Sequence, residues 1–221
     1  MFKVAIIGAN GKMGKIAEEA IKLTHDFSVV ARVGRNDNLE SVLSSLKPDI
    51  ALDLTSHESV KQNSWTIVKS GVHPIIGASG LSMKDMDDLV SYCHEKKLGG
   101  LVIPNFSIAF AFINKVTKEF SQYYDDISIV EFHHAQKKDK PSGTARYTAE
   151  IAGVDENQIA SIRSNGFLAK QQIYINSDCE RIVIDHESFN RNSFIKGIQL
   201  SLNKVMKLNG MLVGLENIIG N

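Results

Sequence analysis

Cysteine is nearly missing from this chain: Cys93 and Cys179 are the only two in 221 residues. They are too few for a disulfide framework and do not show metal-ligand spacing, so both read as free thiols in a reducing compartment. Net charge is missing as well. Twenty-five Lys and Arg balance 25 Asp and Glu, which leaves no global field to favour nucleic acid or an anionic membrane. An acidic ligand would therefore need a local cluster of basic residues. No apolar run approaches spanning length, and the N-terminal block Val4-Ala-Ile-Ile7 is too short for a signal-peptide core or a membrane helix. A soluble, cytoplasmic protein is expected. Internal repeats and low-complexity tracts are absent. What is present, 43% hydrophobic and 23% charged residues, suits one large or two small globular domains with a real core.

The first half alternates strand and helix signals. Apolar runs at Val4–Ile7, Phe27–Val33, Ile50–Leu54, Ile75–Ile76 and Gly100–Ile103 read as buried strands. Helical spacing separates them at Lys15–Leu23 (Ile16, Ala20 and Leu23 on one side), Leu39–Leu46, Val60–Ser70 and Lys84–Lys97. Such alternation with short connections predicts an α/β fold with a doubly wound parallel sheet. Past Asn105 the pattern changes. Ile108–Tyr124 predicts one long helix with Ala109, Phe112, Ile113, Val116 and Phe120 on a shared face. Strand-like runs follow at Ile127–Phe132, Gln172–Ile175, Arg181–Ile184 and Ser193–Leu200, with a helix near Thr144–Ala152. Strands without alternating helices predict a mixed sheet in a second, α+β domain. The expected division is residues 1–104 and 105–202, with an apolar tail, about 203–221, that packs rather than hangs free.

Gly8, Gly11 and Gly14 sit between the first strand and the first helix. Glycines there let backbone amides approach a pyrophosphate, and the helix N-terminus adds positive potential. The Gly-x-x-Gly-x-x-Gly spacing alone is unspecific; its place at the head of an alternating sheet points to a dinucleotide, against a plain tight turn. The second strand ends Ala31-Arg-Val-Gly-Arg-Asn-Asp37. Arg35 is placed to meet a 2′-phosphate, which favours NADPH. Asp37 could instead serve the ribose, so NADH stays open. Three more strand ends, Asp53-Leu-Thr55, Gly77-Ala-Ser79 and Pro104-Asn-Phe106, fall on the edge where parallel sheets bind ligands.

The densest chemistry lies in Glu131-Phe-His-His-Ala-Gln-Lys-Lys-Asp-Lys-Pro-Ser-Gly-Thr144. Ser142-Gly-Thr144 at a helix start offers amides and hydroxyls to a carboxylate, although Ser142 also reads as a simple cap. Histidine suits proton donation near neutral pH. Reducing a double bond needs a hydride at one atom and a proton at its neighbour, so a hydride donor and this stretch together make a complete reaction. No metal is expected: adjacent histidines on a strand point to opposite faces, and no carboxylate or cysteine is spaced to help.

Glu131-x-His-His-x-x-Lys-x-Asp-x-Pro-Ser-Gly-Thr-Ala145 resembles the signature of the 4-hydroxy-tetrahydrodipicolinate reductases, formerly dihydrodipicolinate reductases, of lysine synthesis. Gly8–Gly14, Asp53-Leu-Thr55, Gly77–Gly80 and Pro104–Ser107 fall in that family's order. The resemblance implies a Rossmann domain plus a mixed-sheet substrate domain, a homotetramer, and NAD(P)H-dependent reduction of a cyclic dicarboxylate. It implies His133 as proton donor, Lys137 as a second proton-transfer group, and His134, Ser142, Gly143 and Thr144 as substrate contacts. By the same resemblance Gly8, Ala9, Asn10, Gly11, Lys12, Met13, Gly77, Ala78, Ser79, Ile103, Pro104, Asn105 and Phe106 would line the cofactor; the strand-end reading adds Arg35, Asp53 and Thr55. The chain departs from the family in having Leu54 where Phe is usual, no glutamate ending strand two, and Ser164–Gln171 in place of a Gly-Glu-His step. The competing readings are another Rossmann dehydrogenase of an amino or semialdehyde acid, and an NADP(H)-binding sensor or scaffold without turnover.

Overall fold

The computed structural model describes residues 1–220. Two compact units emerge, Met1–Ser107 together with the chain from Phe194 onward, and Ile108–Ser193.

In the first unit, β1 (Phe2–Ile7), β2 (Phe27–Val33), β3 (Ile50–Asp53), β4 (His73–Ile76), β5 (Gly100–Val102) and β10 (Met211–Val213) form one sheet in the order β10-β5-β4-β3-β1-β2. Every neighbouring pair is parallel. Ile6, Ile50, Ile75 and Leu101 are closed to solvent, which explains why these strands read as unbroken apolar runs: helices cover both faces of such a sheet. The helices are α1 (Lys12–Lys22), α2 (Leu39–Leu46), α3 (Val60–Lys69), α4 (Met83–Lys96) and α7 (Ile195–Val205). The strand ends are stitched at one level, since Gly8 N donates to Val33 O (2.8 Å), Leu54 N to Ile7 O (2.9 Å), Gly77 N to Asp53 O (2.8 Å) and Ile103 N to Ile76 O (2.8 Å). The loops that follow therefore start side by side.

Several expectations change. Helix α1 begins at Lys12 and buries Gly14, Ala17, Ala20 and Ile21, while Leu23 is exposed. Three small residues and Ile21, not Ile16 and Leu23, form its buried face. The stretch 193–200 is not a strand. It enters helix α7, whose Ile198, Leu202 and Val205 are fully buried at helical spacing. The expected return near residue 203 lies inside that helix, which the first unit holds from Phe194. The apolar tail does pack, through β10 beside β5 and the buried Leu215 and Ile218.

The second unit holds α5 (Ile108–Phe120), β6 (Asp126–His133), α6 (Gly143–Ala152), β7 (Ile159–Arg163), β8 (Ala169–Asn176) and β9 (Arg181–Ser188). The sheet order is β7-β6-β8-β9, with β6–β7 parallel and the other pairs antiparallel. Helix α5 buries only part of the expected stripe: Ile113 and Phe120 pack against the isoleucine core, but Phe112 is 51% and Val116 42% exposed, whereas Phe110, Ala111, Asn114 and Thr117 are inside. The inward face carries two polar residues, Asn114 and Thr117, so hydrophobicity alone places it only in part.

Period-two alternation puts Ile127, Ile129, Glu131 and His133 on one face of β6. The strand register extends that face into rows. Ile129 is flanked by Ile159 on β7 and Ile173 on β8, with Ile184 beyond on β9. The next row reads Ser161, Glu131, Gln171 and His186, and the last reads Arg163, His133, Ala169 and Ser188. One face thus passes from an isoleucine core, packed against Ala145 and Ala149 of α6, to a polar end.

Candidate active site

In the first unit, Gly8 adopts φ +81°, and a Cβ on it would stand 2.8 Å from Leu54 O. A Cβ on Gly14 would lie 2.5 Å from both Gly8 O and Ala9 O. These contacts forbid larger residues and bring the loop backbone tightly over the start of α1. Gly11 is the N-cap and supplies no side-chain hydrogen bond, so the first-turn amides at Lys12 and Met13 have no side chain competing for them. An 11-residue helix with no side-chain cap, behind a turn that has glycine at Gly8 and Gly11, fits a pyrophosphate. Asn10, Gly11 and Lys12 are exposed there, and Ala9 is buried under the loop.

At the end of β2 the two arginines separate. Arg32 donates to Glu18 through Nε (3.2 Å) and Nη2 (2.8 Å), holding that carboxyl down at about 2, first by the Arg32 hydrogen bonds and then by Lys22. Arg35 is exposed and forms no ion pair among the described residues. Asp37 accepts from Gly34 N at 2.7 Å and so closes the turn after β2.

Asp53 is fully buried. Its Oδ1 accepts from Thr55 N (2.9 Å) and Thr55 Oγ1 (2.6 Å), and Asn63 Nδ2 donates to Thr55 Oγ1 (3.2 Å). Burial pushes the Asp53 carboxyl above its usual range, partly offset by Thr55 and Asn63. The aspartate therefore shapes the β3 loop and fixes Thr55, which is half-buried at the loop surface. A Cβ on Gly77 would stand 2.5 Å from the Phe106 ring and 2.8 Å from Leu54 Cδ2, so Gly77, Leu54 and Phe106 interlock. Ala78 follows, half-buried against the core beneath α3 and α4, and Ser79 is exposed; Ile103 and Phe106 are buried, Pro104 is exposed, and Asn105 Oδ1 accepts from Ser107 N (2.8 Å).

In the second unit, Glu131 is closed to solvent and filled on both oxygens: Oε2 meets His133 Nδ1 in a short contact, and Oε1 accepts from Arg163 Nη2 at 2.8 Å. Burial works to raise the Glu131 carboxyl, but Arg163, Ser161 and His133 outweigh it and hold it low. Burial likewise lowers the His133 imidazole, opposed by Glu131 and aided by Lys137 and Arg163. The loop beyond β6 is tied down. Arg163 donates to Lys137 O (3.3 Å) and Asp139 O (2.6 Å), Lys137 Nζ pairs with Asp139 Oδ1 (3.0 Å), and Gly143 N donates to Asp139 Oδ2 (3.3 Å). Ser142 is buried and caps α6 by accepting from Ala145 N at 3.2 Å. Beneath, Gln171 Nε2 donates to Thr148 Oγ1 (2.9 Å), which lies 3.0 Å from Asn114 Oδ1. Among the described residues no group of His, Cys, Asp and Glu could hold a metal ion, and no helix is long and apolar enough to cross a membrane.

Comparison with known proteins decides between dehydrogenase families. Residues 2–106 match the model of the dihydrodipicolinate reductase N-terminus, and residues 106–219 match that of its C-terminus. The chain belongs to the dihydrodipicolinate reductase family. It is 35% identical to the 4-hydroxy-tetrahydrodipicolinate reductases of Coxiella burnetii, over 98% of both chains, and of Legionella pneumophila, over 98% of this chain and 99% of that one. A solved dihydrodipicolinate reductase from Paenisporosarcina sp. TG-14, with dipicolinate bound, superposes with TM-score 0.82 at 30% identity, covering 99% of this chain and 100% of that one. Members of the family are nicotinamide-dependent oxidoreductases with a Rossmann-like sheet and a mixed sheet, the architecture found here.

Within this family fold, the structure gathers His133, Lys137, Ser142 and Gly143 around one loop and helix start, with His134 and Thr144 beside them in sequence. Glu131 lies in the quoted signature without an assigned part, and Arg163 was missed altogether. The signal for Glu131 was present: it is a carboxylate two residues before His133, hence on the same strand face. Arg163 had no such signal, because only the β6–β7 pairing, Glu131 opposite Ser161 and His133 opposite Arg163, brings it near.

Proposed function

We propose that this chain catalyses NAD(P)H-dependent reduction of the dehydrated form of 4-hydroxy-tetrahydrodipicolinate to tetrahydrodipicolinate, in the diaminopimelate route to lysine. The observation that carries this is the constellation at the end of β6: a histidine held by a buried carboxylate, a lysine tied to the same loop, and a helix start. When bound, the nicotinamide cofactor supplies the hydride.

The chain's own residues do the rest. The amides at the α6 start attract a carboxylate of the substrate, and because Ser142 already accepts from Ala145 N, Gly143 and Thr144 are the positions left to receive it. A substrate carboxylate there would replace Asp139 at Gly143 N and release it from Lys137. His133 gives the proton through Nε2, since Nδ1 is turned to Glu131. Lys137 assists proton transfer, and His134 contacts the substrate. In the first unit, the Gly8–Met13 turn would hold the pyrophosphate, Thr55, Gly77–Ser79 and Ile103–Phe106 would line the nicotinamide half, and Arg35 would meet a 2′-phosphate, favouring NADPH over NADH.

The bound dipicolinate of the Paenisporosarcina relative supports a small dicarboxylate substrate. We further assign a cytoplasmic homotetramer, for which the half-exposed apolar Ile162 and Val183 on the outer face of the mixed sheet are the supporting feature; light-scattering mass tests it. The reductase assignment is tested by oxidation of NADPH or NADH in the presence of substrate made in situ by the preceding synthase. Cofactor binding without oxidation would favour a non-catalytic nucleotide-binding protein instead.

A further inference from the structure

The polar end of the β6 face contains two groups that take no direct part in hydride or proton transfer, Glu131 and Arg163. Both are shielded, with side chains 0% and 8% exposed. A carboxylate taken out of water is expensive unless both oxygens find donors. Here Arg163 fills one and His133 the other. An ionised carboxylate only accepts, so the imidazole nitrogen facing it carries the hydrogen. His133 Nε2 has no hydrogen-bond partner among the described residues. The same guanidinium reaches the carbonyls of Lys137 and Asp139, which ties the lysine-bearing loop to the histidine's partner.

We infer that Glu131 and Arg163 are a positioning pair: Glu131 holds the Nδ1–H of His133, so that Nε2 is the atom that takes up a proton from solvent and gives it from the imidazolium to the substrate, and Arg163 balances the glutamate charge while holding the Lys137 loop in register with it. This rests on the reading of His133 as proton donor. After the imidazolium releases its Nε2 proton, the neutral ring is left in the one tautomer that Glu131 accepts from, so no ring flip or tautomer exchange separates turnovers. Structural service alone would not require the charge. The charged neighbours of His133 are Glu131 on its own strand, Arg163 on β7, and Lys137 with its partner Asp139 in the loop. The β8 and β9 residues in its row are Ala169 and Ser188, and His186 lies one row back, opposite Gln171. On α6, Arg146 is paired to Glu156. Glu131 is thus the one anion hydrogen-bonded to the ring among the described residues.

The test is nitrogen NMR of the His133 ring in the full chain, wild type against Glu131→Gln, alongside the pH profile of turnover. Wild type should show the Nδ1–H tautomer. In Glu131→Gln the ring should become a tautomer mixture and titrate at lower pH, because the anion favouring its protonated form is gone. Turnover should fall roughly 10²-fold with its alkaline limb, set by loss of the His133 proton, moved to lower pH, while the Michaelis constant for the cofactor stays unchanged. Arg163→Lys covers the case in which Glu131→Gln fails to fold: it keeps a positive charge but cannot span both loop carbonyls, so the tautomer should persist while turnover drops about tenfold. A wild-type Nε2–H tautomer, or the same tautomer and midpoint in Glu131→Gln, would overturn the pair. Wild-type inactivity with a Glu131-dependent tautomer would overturn the reductase reading and leave the pairing supported.

Discussion

Arg32 and Glu18 form a two-pronged ion pair, Nε at 3.2 Å and Nη2 at 2.8 Å, which leaves Arg35 as the unpaired arginine at the end of β2. Arg35→Ala should therefore weaken NADPH binding by about tenfold and leave NADH nearly unchanged, the loss of one exposed charge-assisted contact being worth about 1.4 kcal/mol. Fluorescence titration with each cofactor measures this. Equal NADPH affinity in the two proteins would remove Arg35 from the site.

Gly14→Ala should be costly, since the added methyl would stand 2.5 Å from two carbonyl oxygens. The turn must open, so we expect a loss of about 1–3 kcal/mol in stability and cofactor affinity reduced beyond detection. Gly143→Ala is the control: no atom lies within 4 Å of the added Cβ, and the melting temperature should stay within a few degrees. Denaturant unfolding and calorimetric titration read both.

His133→Gln should lower turnover by about 10²–10⁴-fold, the usual contribution of a positioned proton donor. The cofactor constant should remain, because the glycine turn belongs to the first unit. Steady-state kinetics with the synthase-coupled substrate decide it, and unchanged turnover would exclude the proton-donor role.

Acid should destabilise the second unit in two steps. His133 and Glu131 both ionise below their usual ranges in the folded chain. The unfolded chain therefore takes up protons first as pH falls, and folding free energy declines with it. For His133 the loss begins below about pH 6.5, and for Glu131 below about pH 4.3. Melting temperature against pH should show both. Asp139 and Asp185 of the same unit are also held low, so in Glu131→Gln the lower step should shrink, and an unchanged step would assign it to those carboxyls.

The parallel sheet was legible because its strands are buried on both faces and so stand out as apolar runs between helices. The edge strand β10 escaped, being only Met211–Val213, as did β7, whose Ile159 and Ile162 fall on opposite faces and so break the alternation. Helix α5 is legible but its face only in part, because Asn114 goes inside where Thr148, itself held by Gln171, bonds it. The segment from Ser193 was given a strand's identity by its branched residues, while the burial of Ile198, Leu202 and Val205 follows a helical period.

The sequence by itself determined the glycine turn, the His-His-Lys and Ser-Gly-Thr stretch, and through their joint pattern the kind of chemistry, because these are local: adjacent residues suffice to form a turn, a strand end and a helix start. Tertiary structure alone decided which arginine is free, that Asp53 is buried behind Thr55, and that Arg163 closes on Glu131. Each of these depends on pairing between distant strands or helices, and a buried charge finds its partner only once that register has been set.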